Sequence, residues 1–468
     1  MPAALALAVY AVLLAGGGIA VWRRPTVALY VWVVGLAAHN AVMAALYAHG
    51  VRGSPLTAIQ AWKEILLAVA VARVGLDAVR AGRLPFRPRA VDWLALAFGA
   101  LVCLYALVPQ SALGGLADRK AVVYGLRHDV VPVVVFLLFR ALGLDRADRR
   151  RLVWTVLGTA AAVAVLGLAD VYLISIDWWR GNGVADYFRK QLGYDYHGTG
   201  GLPENFIYNT GSEAHFLRRL VSVFLSPLAS AYLMVVALLL APRRLLAVPL
   251  AAVAFVGLLY TFSRSSLLAL AVGLVIVAAV RRAPALVAVA AVVVAVGVGW
   301  ASVFPKIAPT GHWTKADLVY QHETAKRNGP ASGNALSDRE PSIRSHLASL
   351  KEGIRTVVRH PQGYGLGNAG QTASRTGTPL KAGESNYTEL GAETGVLGSL
   401  LWLAWGIAVL AGLIGTARAG GSATIAGMAG AFGAVLALAV QTDVIGDPWV
   451  AYCVWGLAGG MLFATVEA

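Results

Sequence analysis

Residues 245–282 read LLAVPLAAVAFVGLLYTFSRSSLLALAVGLVIVAAVRR. Two apolar runs, 245–262 and 265–280, are parted only by Ser263 and Arg264, and the second ends on Arg281 and Arg282. A helix needs about 20 mainly apolar residues to cross ~30 Å of hydrocarbon. Two such runs back to back, joined by a tight polar turn, read as a transmembrane hairpin.

Working outward, the same unit recurs. Apolar runs lie near 2–22, 26–47, 57–76, 91–109, 128–143, 152–173, 219–241, 284–304, 396–416, 422–441 and 448–465. With the hairpin this predicts an all-α polytopic transmembrane bundle of about 12–13 spans. Composition agrees. Of 468 residues, 58% are hydrophobic and 13% charged, against roughly a quarter charged in soluble domains. The first run ends on Arg23, Arg24 and Pro25 without a small-residue cleavage pattern, so it reads as a retained span.

The net charge of +15 reads as topology rather than nucleic-acid binding. Alternate short connections carry Arg23 and Arg24; Arg80, Arg83, Arg87 and Arg89; and Arg146, Arg149, Arg150 and Arg151. The series continues with Arg243 and Arg244, then Arg281 and Arg282, then Arg418. The positive-inside rule puts these in the cytoplasm. The N-terminus and the connections 48–56, 110–127, 174–218, 263–264, 305–395 and 442–447 are then expected outside. Arg52, Arg119 and Lys120 break the alternation. The expected organisation is 1–173, N-terminal spans; 174–218, an extracytoplasmic loop; 219–304, further spans; 305–395, a large extracytoplasmic loop; and 396–468, the C-terminal spans. Cys103 and Cys453 fall inside apolar runs and read as packing residues.

The large loop contains a helix signal. From Pro341, PSIRSHLASLKEGIRTVVRH places Ile343, Leu347, Leu350, Ile354 and Val358 on one face, beside Arg344, Lys351, Arg355 and Arg359. This predicts an amphipathic helix on the membrane surface or capping the bundle.

Polar groups inside a bilayer are costly, which marks those present. Arg219 opens the seventh run. Ser263, Arg264, Ser265 and Ser266 crowd one turn at a helix start, where hydroxyls, backbone N–H groups and a guanidinium suit a phosphate or diphosphate. Lys63 and Glu64 lie within the third run, roughly 100° apart on a helix, and are expected to pair with other helices. His39 and Asn40 lie within the second run, and Arg127 and His128 open the fifth. Gly365, Gly367 and Gly370 match G-x-G-x-x-G, but no strand precedes them, so a dinucleotide fingerprint is excluded by context. In GESNYTELGAETGVLG, 383–398, Glu384 flanked by Asn386 and Tyr387 is a candidate to take a proton from a hydroxyl. Glu393 reads as a structural carboxylate near a helix start.

The order of these pieces resembles the O-antigen ligase and O-antigen polymerase superfamily of bacterial envelope glycosyltransferases. The pieces are Arg219 to Pro227, Ser263-Arg264-Ser265, Arg344, Pro361-Gln-Gly363-Tyr-Gly365-Leu-Gly367, and Glu384-Ser385-Asn386-Tyr387 running to Gly398. The match covers about 210–400; the first six runs share only hydrophobicity.

The resemblance implies a GT-C-type enzyme at the outer face of the bacterial inner membrane. Its donor would be an undecaprenyl-diphosphate-linked glycan, its acceptor a glycan, with the lipid bilayer around it and a chain-length regulator as a further partner. It implies no nucleotide sugar, no metal and no other cofactor. By resemblance, Arg219 and Arg264 bind the carrier diphosphate and Arg344 holds carrier or glycan, with Ser263, Ser265, Asn386 and Tyr387 lining the site. Ligases of the family carry a histidine before the asparagine; here that position is Ser385, leaving Glu384 as the expected base. Polymerase members more often show acidic or serine residues there, so polymerisation of lipid-linked oligosaccharide units is the expected reaction. A ligase acting on a lipid or protein acceptor is the alternative within the class. A flippase of lipid-linked glycan is the alternative outside it. The flippase would need polar residues through the membrane depth, whereas here they gather at the outer rim.

Overall fold

The computed structural model describes residues 3–328, 337, 340–383 and 385–463. Each apolar run holds helix. Eight helices are long and apolar enough to span a membrane, by length and composition: Ala3–Arg23, Val27–Ala48, Ala90–Leu107, Arg119–Leu142, Arg146–Leu173, Arg264–Arg281, Ala285–Ile307 and Asn386–Gly420. Four shorter apolar helices join them, Pro227–Leu240, Ala247–Tyr260, Ala423–Leu438 and Val450–Met461. The helix Trp62–Ala81 lies in the third run and carries Lys63, Glu64, Arg73, Asp77 and Arg80. The chain is a polytopic helical membrane protein.

Two helix starts depart from the hydropathy reading. The fifth run was expected to open at 128, but its helix begins at Arg119, where the side chain of Asp118 accepts a hydrogen bond from the N–H of Ala121 at 2.7 Å. Arg127 and His128 therefore sit two turns inside the helix. In the seventh run, 219–226 is not α-helical. The helix starts at Pro227, a residue preformed for the first helical position, with Ser226 as its N-cap.

Helix 264–281 is packed between helices 423–438 and 285–307. The first contact is close because it runs through Gly273 and Gly430: a Cβ added at Gly430 would lie 2.7 Å from the Gly273 carbonyl oxygen. Small residues permit such approaches in membranes, where van der Waals packing rather than water drives association. Helices 90–107 and 119–142 are joined by a buried bidentate pair, Arg140 Nε to Asp92 Oδ1 at 2.9 Å and Nη2 to Oδ2 at 3.2 Å.

The two long connections meet in a small antiparallel sheet. Strand Phe216–Arg218 pairs with Ile207–Tyr208 on one side and Thr310–Gly311 on the other, with Ile207 opposite Arg218 and Phe216 opposite Gly311. Both connections thus lie on one side of the bundle. The amphipathic helix forms as Pro341–Arg359. Gly353 and Val357 contact Thr388 and Gly391 of the last long helix, while Leu347, Ile354 and Val358 stay exposed.

Helix 386–420 breaks at Gly395, whose φ of 73° lies in the left-handed region. The break releases backbone groups that a continuous helix would satisfy, and the loop after Pro361 takes them up. Tyr364 N–H donates to Ala392 O (2.6 Å), Gly365 N–H to Glu393 O (2.9 Å) and Val396 N–H to Pro361 O (2.9 Å). Backbone groups freed inside a packed bundle persist only where protein satisfies them in this way. A Cβ at position 395 would meet the Pro361 oxygen at 2.4 Å, so a glycine is required on both counts.

Candidate functional site

The turn at 261–264 is built first. Phe262 is held at φ 51°, a conformation that non-glycine residues rarely adopt. Its ring stacks on Phe304 at 4.3 Å and 16°. This reversal aims Ser263 at the start of helix 264–281, where its Oγ accepts from Ser266 N–H at 3.4 Å and lies 2.7 Å from Ser266 Oγ and 3.3 Å from Ser265 Oγ. The gathering of hydroxyls and a guanidinium at a helix N-terminus, expected from sequence, is present.

Arg219 joins from the strand side. Leu220 N–H donates to Tyr260 O at 2.9 Å, and Arg219 Nε donates to Thr261 O at 2.8 Å. Its neighbour Arg218 turns the other way, into a buried pair with Asp170 at 3.2 Å. One arginine of this doublet is therefore structural and the other faces a cavity. Burial, and then the charge of Arg264, push the Arg219 guanidinium down to about 10. It remains charged at neutral pH, and an anion would relieve both penalties.

Arg219, Ser263, Arg264 and Ser265 line one cavity of about 840 Å³. Its far wall comes from the amphipathic helix through Ser342, Ile343 and His346, with Tyr208 and Gln441 completing it. Glu340, at the N-cap of that helix and 3% exposed, also lines it. Sequence reasoning missed Glu340, because nothing in the local pattern brings residue 340 to the two arginines. Tyr208 links these groups: its hydroxyl is pushed up to about 12 by burial and then by Glu340, against the charges of Arg264 and Arg219.

The other expected site residues lie elsewhere. Arg344 is exposed on the amphipathic helix and is not among the residues lining the cavity. Tyr387 donates from its hydroxyl to Leu436 O at 3.1 Å, tying two helices. Asn386 is fully buried. Its amide donates to Asp443 Oδ1 at 2.8 Å, and its oxygen accepts from Val444 and Ile445 N–H at 2.8 and 3.1 Å. Asn386 N–H and Ser385 Oγ both donate to Ala439 O, two residues before Gln441 of the cavity wall. Glu384, the expected base, lies outside the described residues.

Behind Asn386 is a buried polar network. His128 Nδ1 lies 2.7 Å from Asp129 Oδ1 and its Nε2 lies 3.3 Å from Asp443 Oδ2. Burial raises the Asp443 carboxyl, but the charge of His128 and hydrogen bonds from His128, Gly446 N–H and Asn386 outweigh it and leave it below the usual range. His128, Glu389 and Asp443 each offer a ligand atom within 4.8 Å of the others, a spacing that a cation could bridge. Both imidazole nitrogens are already engaged by carboxylates, so the hydrogen bonds account for the cluster. Glu393 is structural, as expected, but as a loop anchor: its Oε1 accepts from Gly367 and Ala369 N–H at 2.9 and 3.1 Å.

Lys63 and Glu64 approach to 3.6 Å, and Glu64 also meets Arg127 of helix 119–142 at 3.1 Å. His39 takes a hydrogen bond from Trp62 Nε1 at 3.1 Å, and Asn40 donates to Phe224 O at 2.9 Å.

Residues 249–403 match a protein-family model described as O-antigen ligase. The matched stretch holds the Ser263–Ser265 turn, the amphipathic helix, the glycine loop and the break at Gly395; Arg219 precedes it. No curated protein matches the chain.

Proposed function

The chain carries an O-antigen ligase family domain at residues 249–403, and from that premise we propose a polymerase that joins undecaprenyl-diphosphate-linked oligosaccharide units at the outer face of the bacterial inner membrane. The observation that carries the reading is the pairing of Arg219 and Arg264 across one cavity beside a serine-rich helix N-terminus. Two guanidiniums and a helix start suit a diphosphate.

In the proposed reaction, a hydroxyl oxygen of the acceptor sugar bonds to the anomeric carbon of the donor. The bond from that carbon to the diphosphate oxygen breaks, and the leaving carrier diphosphate keeps the electron pair. Arg219 and Arg264 stabilise the charge that grows there, a term worth more in a partly dry cavity than in water. The hydroxyl proton goes to a carboxylate, for which Glu384 is the proposed residue. Arg344, exposed on the amphipathic helix, is proposed to hold the carrier or glycan from the rim. Leu347, Ile354 and Val358, exposed beside Lys351 and Arg355, support seating that helix against lipid, where it caps the cavity and keeps water from the donor. Asn386 and Tyr387 are proposed to act as positioning residues, Asn386 holding 439–445, which includes Gln441 of the cavity wall, and Tyr387 holding Leu436 just before it.

The test is transfer in proteoliposomes supplied with lipid-linked oligosaccharide from the native host. A ladder of products from wild type, lost in Arg264→Ala, supports polymerisation. Transfer to a different acceptor without a ladder makes the protein a ligase. No transfer by intact protein removes the transferase reading and favours a flippase.

A further inference from the structure

A second cavity, of about 460 Å³, adjoins the arginine cavity. Asn205 and Leu228 line both, and Gln441 of the first is followed by Thr442 of the second. The volume is in the range of small-ligand sites, about 300–1,000 Å³.

Its chemistry differs from that of its neighbour. Its cations are already engaged. Lys63 and Arg127 share Glu64, while Arg375 donates to Leu192 O at 2.8 Å and lies over the Tyr124 ring at 4.4 Å. Asp443 and Asp447 add negative charge. A diphosphate gains little from such a lining. Aromatic faces are present instead: Tyr194 and Tyr196 lie parallel at 5.2 Å and 12°, with Tyr187 and Trp449 also in the wall. Planar polar groups, Gln371, Asn205 and Glu64, share the wall with them. Asn205 Oδ1 is buried without a hydrogen-bond partner among the described residues, and Glu64 keeps lone pairs beyond those that face Lys63 and Arg127. Buried acceptors of this kind need donors. A pyranose ring supplies a flat C–H face for aromatic rings and a fan of hydroxyl donors for amides and carboxylates.

We infer that this second cavity is the acceptor-sugar site: it holds a pyranose against Tyr194 and Tyr196, with hydroxyls on Asn205, Glu64 and Gln371, and delivers it to the arginine cavity at Asn205. The inference rests on the transferase reading, because it names the second substrate of that reaction.

The experiment separates the two substrates. Donor is the lipid-linked oligosaccharide in proteoliposomes, and acceptor is the same oligosaccharide freed from its carrier by mild acid. Tyr194→Ala and Gln371→Ala are expected to raise the acceptor KM about tenfold, with donor KM and melting temperature unchanged. An unchanged acceptor KM, or a shift carried by donor KM, overturns the assignment. Binding of the free oligosaccharide to detergent-solubilised protein, read by saturation-transfer NMR, separates this from failure of the transferase reading. Binding lost in Tyr194→Ala without any transfer by wild type keeps the site and removes the transferase. Binding absent in wild type, or indifferent to the substitution, overturns the site.

Discussion

Arg219 donates from Nε to the carbonyl oxygen of Thr261, at 2.8 Å, three residues ahead of Arg264. The contact fastens one cavity arginine to the backbone of the turn that presents the other, so the Arg219 side chain is anchored rather than free. Preorganised charge of this kind needs no rearrangement as the leaving group develops.

Replacing either arginine by alanine is therefore expected to lower turnover by about 10²–10³. Arg219→Lys should not restore it, because a lysine has no Nε donor for Thr261 and no planar fork for phosphate. Initial rates in proteoliposomes, with melting temperature as the folding control, check this.

Glu340 of the cavity wall and Glu384, the proposed base, should separate by kinetic effect. Glu384→Gln removes the proposed base and is expected to cost about 10²–10⁴ in kcat, leaving donor KM in place. Glu340→Gln removes a negative charge that lines the cavity with both arginines. It should lower the donor KM, by roughly threefold. A large kcat loss in Glu340→Gln and none in Glu384→Gln would exchange their roles.

Gly395→Ala is expected to destabilise the protein by on the order of 1–3 kcal/mol. The cause is twofold: a φ of 73° and a Cβ placed 2.4 Å from the Pro361 oxygen. Thermal unfolding in detergent measures it. Gly415→Ala, where an added Cβ meets nothing within 4 Å, is the control and should melt with wild type.

Asp447 gives a pH signature. Burial pushes its carboxyl up to about 6, against N–H donors from Val450 and Trp449, and the charge of Asp443 adds to the rise. An unfolded aspartate titrates near 3.9. The fold thus favours the neutral acid. Its contribution is complete below about pH 4 and is lost as pH rises through 6. Asp447→Asn stays neutral, so its melting temperature should match wild type near pH 4 and exceed it at pH 7.5, by on the order of 2 °C. Equal melting at both pH values would contradict the buried-carboxyl account.

Much of the bundle was legible because the bilayer imposes one rule on every span, and hydropathy reads that rule window by window. The Ser263–Ser265 turn was legible for the same reason: both flanking runs are long, so the polar residues between them had to be the turn. The helix start at Arg119 was less visible. Arg119, Lys120, Arg127 and His128 depress the local hydropathy, and it is the Asp118 cap and the Asp129 and Asp443 partners of His128 that make those turns stable. Arg218 and Arg219 could be told apart only by the strand that ends between them, with Arg218 reaching Asp170 and Arg219 reaching Thr261. Glu340 and the second cavity come from the convergence of distant segments, such as Asn205 and the residues around 64 and 371 on one cavity, which no local spacing encodes.

The break at Gly395 also bears on how the protein is made. The short helix 386–394 ends on the Ala392 and Glu393 carbonyl groups, which accept from N–H groups of the 361–367 loop. That loop must therefore fold back before this segment can rest at its final depth, so 386–394 cannot be threaded into the membrane as an independent hydrophobic element. The position at which this stretch rests is thus set by a loop made earlier in the chain rather than by its own hydropathy.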